Sequence, residues 1–388
     1  MVEISPNDDR LYRSIKLSND IDILLIHDPK TEKSSACCDV YIGSMADPKE
    51  AQGLAHFLEH MLFLGTESYP IENAYSSYLN NHGGMSNAYT DQENTVYYFD
   101  IQSEYYEEAL NMFSSFFINP LFTDTATNRE INAVDSENTK NIQSDMWRQF
   151  QLFKSLALPE HPFNSFSTGN LKTLKTVPES IGQNIRDIMI NFYNMHYSAN
   201  RMKIVLYGKE PLDTLQTWAE SKFSKIINKN VTPYHVPSNA YGKEQVCKWL
   251  NIVPVKDNKS LDLYFPMPSI EHLYRSKPQR YTDYTLIIIY LPYYVTRTAL
   301  VSVYIYTVYV NIYMLYLCTY SKRMLNTYTC LYISYVSIRR YLAHLIGHEA
   351  EGSILEALKV HGLANSLSAS MYRVSYTILI ICIYIPYG

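Results

Sequence analysis

Residues 52–64 read Gln52-Gly53-Leu54-Ala55-His56-Phe57-Leu58-Glu59-His60-Met61-Leu62-Phe63-Leu64. Leu54, Phe57, Leu58, Met61, Leu62 and Leu64 put apolar side chains on nearly every side of a helix, which is therefore expected to lie between layers of structure and to stop at Gly65. A buried helix needs a partner for each polar group it carries. At about 100° per residue, His56 and His60 stand one turn apart on one face with Glu59 beside them. Two imidazoles at i and i+4 can grip one zinc ion, which then wants a third protein ligand and an open position for water; Glu59 is placed to take a proton from that water. A pair of satisfied core histidines is the plainer alternative, but burial leaves them no water to bond.

Outward from this helix the elements alternate. Ile21–His27 and Ala36–Ile42 are β-rich runs that read as neighbouring strands. After the helix, Glu72–Asn81 reads as a second helix ended by Gly83-Gly84, Met85–Tyr89 and Thr95–Ile101 as strands, and Glu104–Phe117 as a helix stopped at Pro120. Ala126–Leu158 has the spacing of one long helix, with Pro159 as its stop. A helix near Ile181–Tyr197, a strand Met202–Tyr207 and a helix from Leu212 to Ile227 follow. The polar stretch Asn228–Tyr241, with Pro233 and Pro237, marks a domain boundary. A β-rich segment opens near Cys247, and Tyr341–Leu367 looks helical around Ser353–His361.

The 388 residues suffice for two or three domains. Lysine and arginine number 33 against 38 acidic residues, and the net charge of -5 offers no basic field for nucleic acid. Six scattered cysteines, Cys37 and Cys38 adjacent, suggest neither a disulfide framework nor a zinc knuckle. The charged first twenty residues lack the apolar run of a secretory signal, so a cytoplasmic protein is expected. The composition is skewed, with 36 Tyr against 13 Gly. Most of the skew lies in residues 281–339, and the tail 374–388 reads alike.

His56-Phe57-Leu58-Glu59-His60 resembles the HxxEH signature of the inverzincin zinc metallopeptidases. The likeness extends over Gly53–Thr66, over Gly83-Gly84-Met85-Ser86-Asn87-Ala88-Tyr89-Thr90, and over Arg129-Glu130-Ile131-Asn132-Ala133-Val134-Asp135-Ser136-Glu137. It is to the pitrilysin-type members of that group, runs from about Leu11 to Arg280, and resumes from Tyr341 to about Ser370. The resemblance implies one zinc ion held by His56, His60 and Glu137, with Glu130 as an acidic partner behind the ligands. Glu130 and Glu137 are seven residues apart and share a helix face, in accord with that assignment. It implies further that Glu59 activates a zinc-bound water for the hydrolysis of short peptides. The peptide would be held as an added strand along the edge bearing Asn87, Ala88 and Thr90.

The implied fold is α+β, a mixed β-sheet covered by helices in two layers, with one complete domain over 1–233 and a partial second copy over 234–373. Relatives of full length are expected to self-associate, and their second half closes over the zinc half and supplies an Arg and a Tyr to the transition state. A catalytically inert fragment that binds peptides is the alternative. In the family pattern Ser276-Lys277-Pro278 leads almost directly to Tyr341, so residues 281–339 interrupt it and read as translated non-coding sequence. Thr298–Tyr320 has the length to cross a bilayer, but six tyrosines spread through it argue against a membrane span. His344 and His348 are also four apart, but Gly347 weakens a helix there, and they are expected to line a substrate chamber rather than hold metal.

Overall fold

A computed structural model describes residues 4–267 apart from 238, 247, 249 and 257–259, then residue 359, residues 366–373 and residues 377–384. The chain divides into two compact units, Met1–Val255 and Lys256–Gly388.

The first unit is built on strands β1 (Leu11–Lys16), β2 (Asp22–His27), β3 (Lys33–Val40), β4 (Met85–Thr90), β5 (Thr95–Gln102) and β6 (Met202–Gly208). They form one sheet in the order β1-β2-β6-β3-β5-β4. The β2–β6 pair is parallel and the other neighbours are antiparallel, so the sheet is mixed. Around it run helices α1 (Leu54–Met61), α2 (Ala74–Asn81), α3 (Tyr106–Ser115), α4 (Asp124–Ile142), α5 (Asp145–Ser155), α6 (Val177–Ser180), α7 (Ile185–His196) and α8 (Leu212–Phe223).

Alternation along the strands sets which face is covered. Ser34, Ala36, Cys38 and Val40 of β3 are buried, as are Ile23 and Leu25 of β2, Ile204 and Leu206 of β6, and Tyr97, Phe99 and Ile101 of β5. All of these but Ser34, which is polar, join Phe57, Leu58 and Met61 of α1, Leu110 and Phe113 of α3, Met189 of α7 and Leu215 and Phe223 of α8 in one core. Each Val, Leu, Ile, Phe or Met side chain among them contributes roughly 1.5–3 kcal/mol by leaving water. The alternate residues, such as Cys37, Asp39, Lys203 and Tyr207, are partly or fully open. This is the α+β layout, with β4 at one edge of the sheet.

Several expectations need correction. Ile21–His27 and Ala36–Ile42 lie in the same sheet but are not neighbours, because β6 pairs with both and separates them. β1, which no pattern singled out, pairs with β2 at the other edge. The single helix expected over 126–158 is two. Ser144 is extended at φ -104, ψ 119 in the position before α5, whose first residue is Asp145, although its side chain makes no capping bond; a Ser-Asp pair is a helix start. The zinc-type helix is shorter than expected and spans Leu54–Met61, since Gly53 at φ 90 sets its start and Leu62–Leu64 turn out of it.

In the second unit, β7 (Ser260–Met267), β8 (Ser366–Arg373) and β9 (Thr377–Tyr384) form an antiparallel sheet in the order β7-β9-β8. The compositionally odd tail thus supplies the central strand. Residues 281–339, His344, His348 and, apart from Lys359, the helix expected around Ser353–His361 lie outside the described residues. No helix among the described residues is long and apolar enough to cross a membrane.

Candidate metal centre

α1 is anchored at its start. Asp47 accepts the amide hydrogens of Gly53 and Ala55, each at 2.8 Å. Gly53 lies so close to Gly169 that a Cβ there would fall 2.2 Å from the Gly169 backbone, so the residue can only be glycine. From that start Leu54, Ala55, Phe57, Leu58 and Met61 go into the core, which leaves His56, Glu59 and His60 to share the remaining side.

Ligand-type atoms of His56, His60 and Glu137 converge within 4.8 Å of one another. His56 Nε2 and His60 Nε2 are 3.3 Å apart, and Glu137 Oε2 is 3.6 Å from each. Two imidazole nitrogens this close, flanked by a carboxylate, need a cation between them, either a proton or a metal. A tetrahedral zinc with bonds of about 2.0–2.1 Å would set its ligand atoms roughly 3.4 Å apart, so the donor set fits the ion in both chemistry and spacing. The outer nitrogens are also held: His56 Nδ1 donates to the Thr168 carbonyl at 2.6 Å, and His60 Nδ1 donates to Glu130 Oε1 at 2.8 Å. Each bond leaves Nε2 as the nitrogen turned to the centre, the arrangement that orients a metal-binding histidine.

Burial disfavours a charged His60 ring, but the carboxylates of Glu130 and Glu137 outweigh it and push its pKa up to about 9. A metal at Nε2 therefore displaces a proton at neutral pH. Contact with His60 holds the Glu137 carboxyl below its ordinary value. Burial pushes Glu59 the other way, partly offset by His56, the Thr90 hydroxyl and His60. Glu59 is 6 % exposed, and its Oε2 accepts a hydrogen bond from Thr90 Oγ1 at 2.5 Å. It is thus a buried carboxylate of raised proton affinity beside the ligands and not among them. That is the disposition of a general base.

The structure brings Glu130 and Glu137 together on α4, as their spacing requires. Asn87, Ala88 and Thr90 lie on the edge strand β4. Asn87 is exposed, and its Oδ1 accepts the Ala88 amide hydrogen at 2.9 Å. Thr90 turns its hydroxyl to Glu59, so only its main chain is left for a peptide. Three contributors went unnoticed in the sequence: Asp47, Thr168 and Gly169. Gly53 at a helix start hinted at a close approach, but nothing local revealed which backbone it meets.

Comparison with known proteins fits this geometry. Residues 22–160 match the family described as Insulinase (Peptidase family M16), and residues 184–287 match Peptidase M16 inactive domain. The chain is 41 % identical over 370 residues to the A-factor-processing enzyme of Saccharomyces cerevisiae, spanning 95 % of this chain and 30 % of that one. It is 40 % identical over 363 residues to human insulin-degrading enzyme, spanning 94 % of this chain and 30 % of the other. The chain belongs to the M16 insulinase family. A crystal structure of pitrilysin superposes with a TM-score of 0.76 at 26 % identity, covering 99 % of this chain and 35 % of that one. The chain therefore spans about a third of the length of these M16 relatives, as fits an N-terminal portion. The insulinase match contains His56, Glu59, His60, Glu130 and Glu137.

Proposed function

We propose that this chain carries the metal centre of a zinc endopeptidase of the insulin-degrading enzyme type, which hydrolyses short peptides. The observation that carries the reading is the spacing of the His56, His60 and Glu137 donor atoms, 3.3, 3.6 and 3.6 Å, beside a buried carboxylate that stays out of the donor set. Those three residues would hold one zinc ion, which when bound supplies Lewis-acid polarisation of a carbonyl and acidifies a water. Glu59 accepts the proton of the attacking water and returns it to the leaving amine, its raised proton affinity suiting both steps. Thr90 orients the Glu59 carboxylate during this exchange. Glu130 and Thr168 fix the two imidazoles in the tautomer that presents Nε2.

The peptide is held as an added strand on the open edge of β4, the strand that bears Asn87, Ala88 and Thr90, through main-chain hydrogen bonds, a mode tolerant of sequence. We place the protein in the cytosol, with longer forms self-associating. The second reading is a chain that binds peptide along this edge without turning it over.

The test uses the full chain with zinc and a short fluorogenic peptide. The expected outcome is about one zinc per chain, retained in Glu59→Gln, with hydrolysis falling roughly 10²–10⁴-fold in that variant. Hydrolysis that survives in Glu59→Gln would remove the base. Zinc and peptide binding without any turnover in the parent would establish the second reading instead.

A further inference from the structure

Lys154 on α5 is a buried charge that the chemistry above does not use. It is 1 % exposed. Its Nζ donates to Ser167 Oγ at 2.8 Å and lies 5.6 and 5.5 Å from the ring centroids of Phe150 and Phe163. Burial pulls its pKa down to about 8, with Asp47 and Asp91 working the other way, so the ammonium persists at neutral pH. A buried lysine and its carboxylate partners could be replaced as a set by apolar side chains at no loss of stability, and often with a gain. The retained charge calls for another account, and Ser167 supplies it.

Ser167 sits in a short connection that meets the start of α1 at three successive points. The Phe166 amide donates to Gln52 Oε1 at 3.0 Å. The Thr168 carbonyl accepts from His56 Nδ1 at 2.6 Å. Gly169 packs against Gly53 with no room for a Cβ. Asp47, one of the carboxylates acting on Lys154, holds the amides of Gly53 and Ala55. The lysine thus stands between two anchors of the helix that bears both histidines.

We propose that Lys154 is a positioning residue of the metal centre: by holding Ser167 it sets the Thr168 carbonyl on His56 Nδ1 and so aims His56 Nε2 at the shared centre. This rests on the zinc-site reading. Mutating a residue that orients a metal ligand typically costs 10–100-fold in metal affinity.

The experiment measures zinc affinity of the full chain by competition with a chromophoric chelator, alongside the zinc-free Tm. Lys154→Met should bind zinc roughly 10–100-fold more weakly, and its Tm should fall as well, because Asp47 and Asp91 lose the cation that faces them. Ser167→Ala should weaken zinc in the same direction, Ser167→Thr should restore affinity by keeping the hydroxyl, and Lys154→Met with Ser167→Ala should be no weaker than the weaker single variant. If Lys154→Met does not fold, the two Ser167 variants decide alone. Zinc affinity within about twofold of the parent in Ser167→Ala and in any folded Lys154→Met would overturn the proposal. So would a Ser167→Ala variant that binds zinc like the parent, even if Lys154→Met loses both affinity and Tm. A parent chain that takes up no zinc would instead bring down the zinc-site reading beneath it.

Discussion

α1 and α4 meet over the same three donor atoms, yet they are built on opposite terms. Of the eight residues of α1 six are buried, whereas α4 buries only Ala126, Thr127, Ile131 and Val134 of its nineteen. The core dictates where α1 lies, whatever its polar side chains do. α4 is fixed along a narrow stripe, by the Thr123 side chain that accepts the Ala126 amide at 3.2 Å, by the Arg129–Glu72 ion pair, and by its two carboxylates on the histidines. Rigid ligands on one side and a carboxylate from a lightly anchored helix on the other suggest a division of labour in which one helix aims and the other closes.

The strongest way to break this picture is to remove ligands from each side. His56→Ala, His60→Ala and Glu137→Ala should each take zinc from about one per chain to none detectable at micromolar metal, because three protein ligands are the minimum for such a site. Stoichiometric zinc in Glu137→Ala would mean that α4 contributes nothing and the comparison is misplaced. The next effect is on stability. Phe57→Ala on α1 should destabilise by roughly 3–5 kcal/mol in urea unfolding, while Ser136→Ala on the outer face of α4 should stay within about 0.5 kcal/mol. Similar losses at the two positions would refute the contrast in anchoring.

Smaller effects sharpen the role of α4. Glu130→Gln keeps the shape of the side chain but weakens its hold on His60 Nδ1, and zinc affinity should fall about 10–100-fold with the metal still bound at saturation. Thr123→Ala should cost about 1 kcal/mol by freeing the Ala126 amide, with little change in zinc affinity. A large loss of zinc there would show that α4 needs its cap to deliver Glu137.

The same contrast explains what could be read in the sequence. His56, Glu59 and His60 were conspicuous because they contradict the helix they occupy, three ionisable groups in an apolar run. Glu137 contradicts nothing on its polar helix, and only the resemblance of residues 129–137 to a family motif singled it out. Apart from β1, the strands of the first unit emerged from their β-rich runs, but the order of the sheet did not, since the parallel pairing of β2 with β6 joins residues about 180 apart and leaves no local trace. Asp47, Lys154 and Thr168 were invisible for the same reason, their roles arising from what they meet and not from their neighbours in sequence. The break at Ser144 is different. Its Ser-Asp start was present and was overridden by an apolar spacing that runs on through both helices.

The rim of β4 has a consequence for handling the protein as well as for peptides. A strand that ends a sheet offers unpaired amides to any other strand, including one from a neighbouring molecule, and proteins commonly blunt such rims. Here the Ala88 amide is plugged by the side chain of its own neighbour, Asn87, at 2.9 Å. A plug of one hydrogen bond is easily displaced by a strand that makes several, yet it raises the threshold for casual pairing. In Asn87→Ala the rim would stand open, and concentrated solutions should show it first, as slow growth of large species in light scattering.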